Sequence, residues 1–259
     1  MEPKRLNPIQ GWAWIKQGYA LFIKAPLLWI VLLIICFVAV AALSAVPVVG
    51  EPLASLLLPV VLVGLMVGCR ALEKNDELEL AHLFSGFQQR TAHLITLGGI
   101  SLVGQYLIFG VMIMVGGATL VSILMSGQPV EDPEIIRQAV NGSGLAPILG
   151  ITLFSLMLMA MQFAPMLVFF RNVAPVEAMK LSLRAFLYNA LPMVVYGTTF
   201  ILMSVLASLP MMLGWLVLMP IVFTSLYACY CDIFPEPEEA GSAQPMEGEI
   251  ISRDDQANS

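Results

Sequence analysis

Charge is scarce in this sequence. Only 12% of its 259 residues are Asp, Glu, Lys or Arg, about half the share found in soluble domains. None of its long apolar runs contains one of these residues or a histidine. Ion-coupled carriers and proton pumps keep such groups at membrane depth, so that class is disfavoured, while a passive facilitator stays open. Histidine is nearly missing: on one helix His82 and His93 would stand about 16 Å apart, too far to share a metal. The four cysteines (Cys36, Cys69, Cys229 and Cys231) lie in or beside apolar runs, which is not the layout of a disulfide framework. Cys229-x-Cys231 beside Asp232, with Cys69 at matching depth, is the one soft-ligand cluster, and such cysteines read as small apolar residues. The His-Glu-x-x-His, Gly-x-Ser-x-Gly and phosphate-loop signatures are missing. Gly142-Ser143-Gly144 has no histidine partner in view. No enzyme, cofactor or metal is therefore expected. Glu73, Asp76, Glu77 and Glu79, the densest acidic set, read as a solvated loop.

What is present is apolar: 59% hydrophobic residues and a mean hydropathy of +0.87. The expected class is all-α, a polytopic membrane protein with six transmembrane helices near 27–45, 53–69, 94–125, 146–170, 191–209 and 211–230. The third run is about 48 Å long as one straight helix, beyond the bilayer, so a tilt, a protrusion or a break at Gly116-Gly117 is expected. In the second, Gly64-xxx-Gly68 would let another helix approach closely. In the loop after the third, Glu131-Asp132-Pro133-Glu134 could open a short helix that Asn141-Gly142 closes.

Three polar stretches precede pairs of spans, and each has an apolar face. In 171–191, Val176, Met179, Leu183, Phe186 and Leu187 share one face, and Glu177, Lys180 and Arg184 share the other, with Glu177 and Lys180 placed to pair. Leu80, Leu83, Phe84 and Phe87 form a second copy. Ile9, Trp12, Ile15, Tyr19, Phe22 and Ile23 form a third, where Gln10, Gln17 and Lys24 make a polar stripe at intervals of seven. Such helices lie at a membrane surface. Trp12 and Trp14 suit the headgroup level as anchors. Lys16, Lys24, Lys180 and Arg184 are the candidate headgroup ligands, with anionic phospholipids of the cytoplasmic leaflet as partners. Interleaved with apolar residues, these cations do not suit nucleic acid. Gln105 and Gln162 are the strongest polar groups within the spans and are expected to hydrogen-bond across one hairpin.

Of the 12 Lys and Arg, only Arg137 falls on the side of the 46–52, 126–145 and 209–213 loops. That asymmetry places both termini in the cytoplasm. The basic start and the apolar run to Ala45 read as an uncleaved first span rather than a signal peptide. The net charge of −6 belongs to the tail: from Asp232 onward there are eight acidic residues and one arginine. Residues 235–259 are expected to be a disordered acidic tail on a membrane domain of 1–234.

The membrane domain repeats. Lys16 and Phe22 recur as Lys180 and Phe186, and Leu57-Leu58-Pro59-Val60-Val61 recurs as Leu218-Met219-Pro220-Ile221-Val222. Each unit, near 8–70, 79–171 and 174–232, is an amphipathic helix followed by a two-span hairpin. All share one orientation, unlike the inverted repeats of many transporters.

Gly11-Trp12-x-Trp14-Ile15-x-x-Gly18, Leu83-Phe84-x-Gly86-Phe87, Phe163-Ala164-Pro165, Pro175-x-Glu177-Ala178-Met179-Lys180-x-Ser182 and Asn189 together resemble an uncharacterised family of bacterial inner-membrane proteins. The resemblance covers about residues 8–232. It is more remotely similar to the membrane domains attached to some glycerophosphodiester phosphodiesterases. It implies a six-span fold in the bacterial inner membrane and carries no catalytic residue. The expected role is non-enzymatic, lipid-contacting or scaffolding in the cell envelope, with a passive or lipid-handling transporter as the alternative. A second copy or another membrane protein stays open as a partner.

Overall fold

The computed structural model describes residues 2–126, 132–209 and 211–235, and those residues form helices and connections with no strand. In order these are α1 Gln10–Phe22, α2 Pro26–Ser44, α3 Gly50–Glu73, a 3₁₀ segment Leu80–Phe84, α4 Ser85–Gln88, α5 Thr91–Met114, α6 Ala118–Ser126, α7 Pro133–Gly142, α8 Ala146–Gln162, α9 Ala164–Arg171, α10 Pro175–Tyr188, α11 Ala190–Ser208 and α12 Trp215–Ile233. Six are long and apolar enough to cross a membrane: α2, α3, α5, α8 continued by α9, α11 and α12. The expected tail, 235–259, lies outside the described residues except for Pro235.

The core sits around α12 and α3. In its most apolar stretch α12 is 61% buried inside the protein, against 11% for α2 and for α11. Those two outer helices present rows of large apolar side chains, Phe37 and Val38 on one, Ile201, Leu202, Val205 and Leu206 on the other. An apolar surface of that extent suits lipid rather than water.

Two spans break where the sequence weakens them. Between α5 and α6 the chain turns at Gly116, whose φ of +98° lies in the left-handed region that glycine tolerates. Of the tilt, protrusion and break left open by the sequence, the break is the one present. The fourth span breaks at Phe163, because Pro165 cannot continue the ladder of α8. On the far side Asp132 caps α7 by accepting the Glu134 amide at 2.9 Å.

The polar stretches differ from their expected form. The second is not one amphipathic helix but the 3₁₀ segment and the single turn of α4. Of its four apolar residues only Leu83 is buried. It lies on α3, where a Cβ at Gly64 would meet Leu83 backbone at 2.6 Å. The small-residue motif of the second span thus admits a connecting segment, not another span. In α10 the buried stripe is Ala178, Ser182 and Ala185, continued by Asn189 just past its end. The expected apolar face splays: Met179, Leu183 and Phe186 flank the contact, while Val176 and Leu187 are exposed. Small residues bring α10 close to α8 and α9, and the large ones are pushed to the sides.

Candidate functional site

The first helix builds the site. A period of 3.6 keeps Gln10 and Gln17 near one line of α1, and Lys24, in the turn just past its end, joins them toward the ends of α3 and α12. Gln10 Nε2 donates to Asp232 Oδ2 at 2.7 Å, and Trp14 Nε1 donates to the same oxygen at 2.8 Å. These are charge-assisted bonds that tie α1 to the last turn of α12. Lys24 Nζ donates to the Leu72 carbonyl at 2.6 Å and to Asn75 Oδ1 at 2.9 Å. A cation there adds to the backbone amide bonds the Leu72 carbonyl already accepts and meets the negative end of the α3 dipole. Tyr227 OH donates to Glu73 Oε2 at 2.6 Å. Between these groups lies a cleft of about 340 Å³ lined by Gln17, Lys24, Glu73, Tyr227, Cys231 and Asp232. Farther along the same helices an apolar groove of about 480 Å³ opens between α2, α3 and α12, lined by Cys36, Phe37, Leu62, Leu65, Met219 and Phe223.

Trp14 is therefore not an interface anchor. It is fully buried, with its indole N–H on Asp232. Burial is possible because α1 sinks against its neighbours: a Cβ at Gly18 would stand 2.6 Å from the Ser225 nitrogen, and one at Gly11 would collide with the Pro192 carbonyl. Trp12 stays exposed, with Lys16 5.6 Å above its ring.

The other expected ligands are dispersed. Lys180 pairs with Glu177 at 2.8 Å on the exposed side of α10, as its spacing predicts. Arg184 is exposed. Lys24 is held at the α3 terminus by two of its three protons. Gln105 and Gln162 sit half-buried, on α5 and α8 respectively, which pack together. No hydrogen bond joins them among the described residues. Glutamine's long side chain finds no fixed partner there, and the ties between helices come from shorter groups instead. His82 Nδ1 accepts the Glu79 amide at 3.1 Å, a local cap. None of the four cysteines is in a disulfide. Among the described residues no three His, Cys, Asp or Glu side chains are grouped to hold a metal.

Two buried polar residues outside the cleft hold the frame. Ser182 Oγ accepts the Phe163 amide at 3.0 Å and donates to the Met159 carbonyl at 2.7 Å. Its hydroxyl is inserted into the helical bond between the Phe163 amide and the Met159 carbonyl, one of those the break at Pro165 opens. Asn189 accepts the Leu6 amide at 2.9 Å and donates to the Lys4 carbonyl at 3.0 Å. The Lys4 amide reaches the Ile233 carbonyl at 2.9 Å. The N-terminal segment is thereby clamped between α12 and the α10–α11 junction. Ser182 and Asn189 both belong to the letters of the family resemblance, and that was their only signal. Asp232 stood out only beside the cysteine pair and as the start of the acidic tail, and neither reading pointed to a bond with Trp14 or Gln10.

The chain is 28% identical over 257 residues to a probable inner membrane protein of Burkholderia thailandensis, covering 91% of this chain and 94% of that protein. No family model matches the chain, and no solved structure matches it. With six apolar helices and this relative, the chain reads as a multi-pass inner-membrane protein.

Proposed function

We propose that this is a non-enzymatic, lipid-contacting protein of the inner membrane, with both termini in the cytoplasm. The observation that carries the reading is the apolar groove between α2, α3 and α12, close to a polar cleft at their ends. A lateral opening of that kind suits an amphipathic molecule of the bilayer. The orientation rests on the one-sided distribution of Lys and Arg. The three-unit plan is supported by the shorter helices that precede the span pairs, and by Pro59 and Pro220, which fall inside α3 and α12 at matching positions of the repeat. Lys16, Lys180 and Arg184 then attract anionic phospholipid at the cytoplasmic surface, each for about 1 kcal/mol.

The groove also favours the second reading, a lipid-handling transporter. The two differ in turnover: a transporter moves labelled phospholipid between leaflets of a reconstituted vesicle, and a lipid-contacting protein does not. For the first reading, native mass spectrometry of protein extracted in mild detergent should show retained phospholipid. The double change Lys180→Gln with Arg184→Gln should reduce its anionic share. An unchanged share with lower thermal stability would make α10 a strut and end its lipid role.

A further inference from the structure

One face of α12 lines both the cleft and the groove. Met219, Phe223, Tyr227 and Cys231 follow at intervals of four and so stack on that face. The first two line the groove and the last two line the cleft. On α3, Leu62 and Leu65 line the groove, and Glu73, the final residue of the helix, lines the cleft. We infer that cleft and groove together hold one zwitterionic aminophospholipid, its ammonium on Glu73 and Asp232, its phosphate toward Lys24, and an acyl chain along α12.

Three features select this occupant. The first is length. From Asp232 back to Met219 the helix rises about 20 Å, and to Phe223 about 14 Å, which brackets one leaflet's hydrocarbon half of about 15 Å. Both carboxylates sit at helix ends, where headgroups fall, and the groove runs at chain depth. The second is charge. The cleft's lining holds Glu73 and Asp232 against Lys24 alone, a net of −1. A headgroup with only negative charge is opposed there, whereas an ammonium is attracted. The third is unused hydrogen-bonding capacity. Glu73 uses Oε2 for Tyr227, and Asp232 uses Oδ2 for Gln10 and Trp14, which leaves one oxygen on each for an ammonium. Lys24 spends two of its three protons on Leu72 and Asn75, so the third can reach a phosphate oxygen. A bare metal ion fits less well, since no three ligating side chains are grouped here among the described residues.

The inference rests on the lipid-contacting reading and names the lipid and its seat. It is tested on the full chain, stripped of lipid in mild detergent and titrated with phosphatidylethanolamine or phosphatidylglycerol of identical chains, with adducts counted by native mass spectrometry. Glu73→Gln keeps an acceptor for Tyr227 but removes the charge. It should weaken phosphatidylethanolamine about tenfold, the size of one charge-assisted bond, and leave phosphatidylglycerol unchanged or tighter. Leu62→Trp fills the groove, leaves every cleft side chain in place, and should weaken phosphatidylethanolamine by a similar factor. If Glu73→Gln moves both lipids equally, or neither, the headgroup assignment is overturned while lipid contact stands. If Leu62→Trp changes nothing, the groove is not the seat. If the wild-type chain takes up no lipid of either kind, this inference and the broader reading fall together.

Discussion

Ser182 shows how one small side chain can hold a membrane helix together at a break. Within hydrocarbon a broken helix exposes an amide and a carbonyl that water cannot reach, and each must find a partner. The Ser182 hydroxyl serves both, taking the Phe163 proton and giving its own to Met159. Ser182→Ala leaves that donor and that acceptor unpaired in a site with no solvent access. The expected cost is about 1–3 kcal/mol for each group left unsatisfied, read as a clear fall in the detergent melting temperature. Ser182→Cys retains a weak donor in similar volume and should lie between the two. A melting temperature for Ser182→Ala equal to wild type would show that the break is satisfied by other means.

At the scale of the element, α1 turns a sequence pattern into a tight contact. Its glycines stand seven apart, with Trp14 between them, so one face can sink onto α11 and α12 while Thr224 donates to the Gly18 carbonyl at 2.9 Å. Gly18→Ala would place a methyl against the Ser225 backbone, which cannot move as a side-chain tip can. Overpacking of that kind costs about 1–3 kcal/mol. Gly110, inside α5, has nothing within 4 Å of its would-be Cβ, so Gly110→Ala should be neutral or stabilise by about 0.5–1 kcal/mol. Equal melting temperatures for the two variants would contradict the close approach of α1. A pH effect belongs to α7. Arg137, and after it Gln138, hold the Glu134 carboxyl below the ordinary carboxylate range by hydrogen bonding. A depressed carboxylate lends its stabilisation above the unfolded value of about 4.3 and loses it as pH falls through the lower folded value. Arg137→Gln removes the larger cause and should move Glu134 back toward the ordinary range, which an NMR titration of its carboxyl carbon would detect.

For the whole molecule the sharpest expectation is topology. Single cysteines near residues 49, 135 and 212, placed in a background without the native thiols, should label from outside the cell, and one at 74 or 172 should not. External labelling anywhere in 171–190 would overturn the six-span arrangement. How much of this architecture the letters carry depends on the kind of interaction involved. Span number and class follow from runs too apolar for water, a property each segment has by itself. The Asp132 cap and the Glu177–Lys180 pair are equally local, and each was legible, while the break at Gly116 was one of three ways the sequence left for an overlong span. The faces of α1 and α10 were not. Hydrophobic periodicity marks which residues avoid water, but inside a bilayer large apolar side chains are as well placed against lipid as against protein. What draws helices together there is closeness and hydrogen bonding, so Ala178, Ser182 and Ala185 take the contact and Val176 is left outside. The cleft lay further still from view, because Lys24, Glu73 and Asp232 come from three distant stretches. Apolarity confined to single segments determined that this chain spans a membrane; only the tertiary packing of small residues decided which polar groups meet at its end.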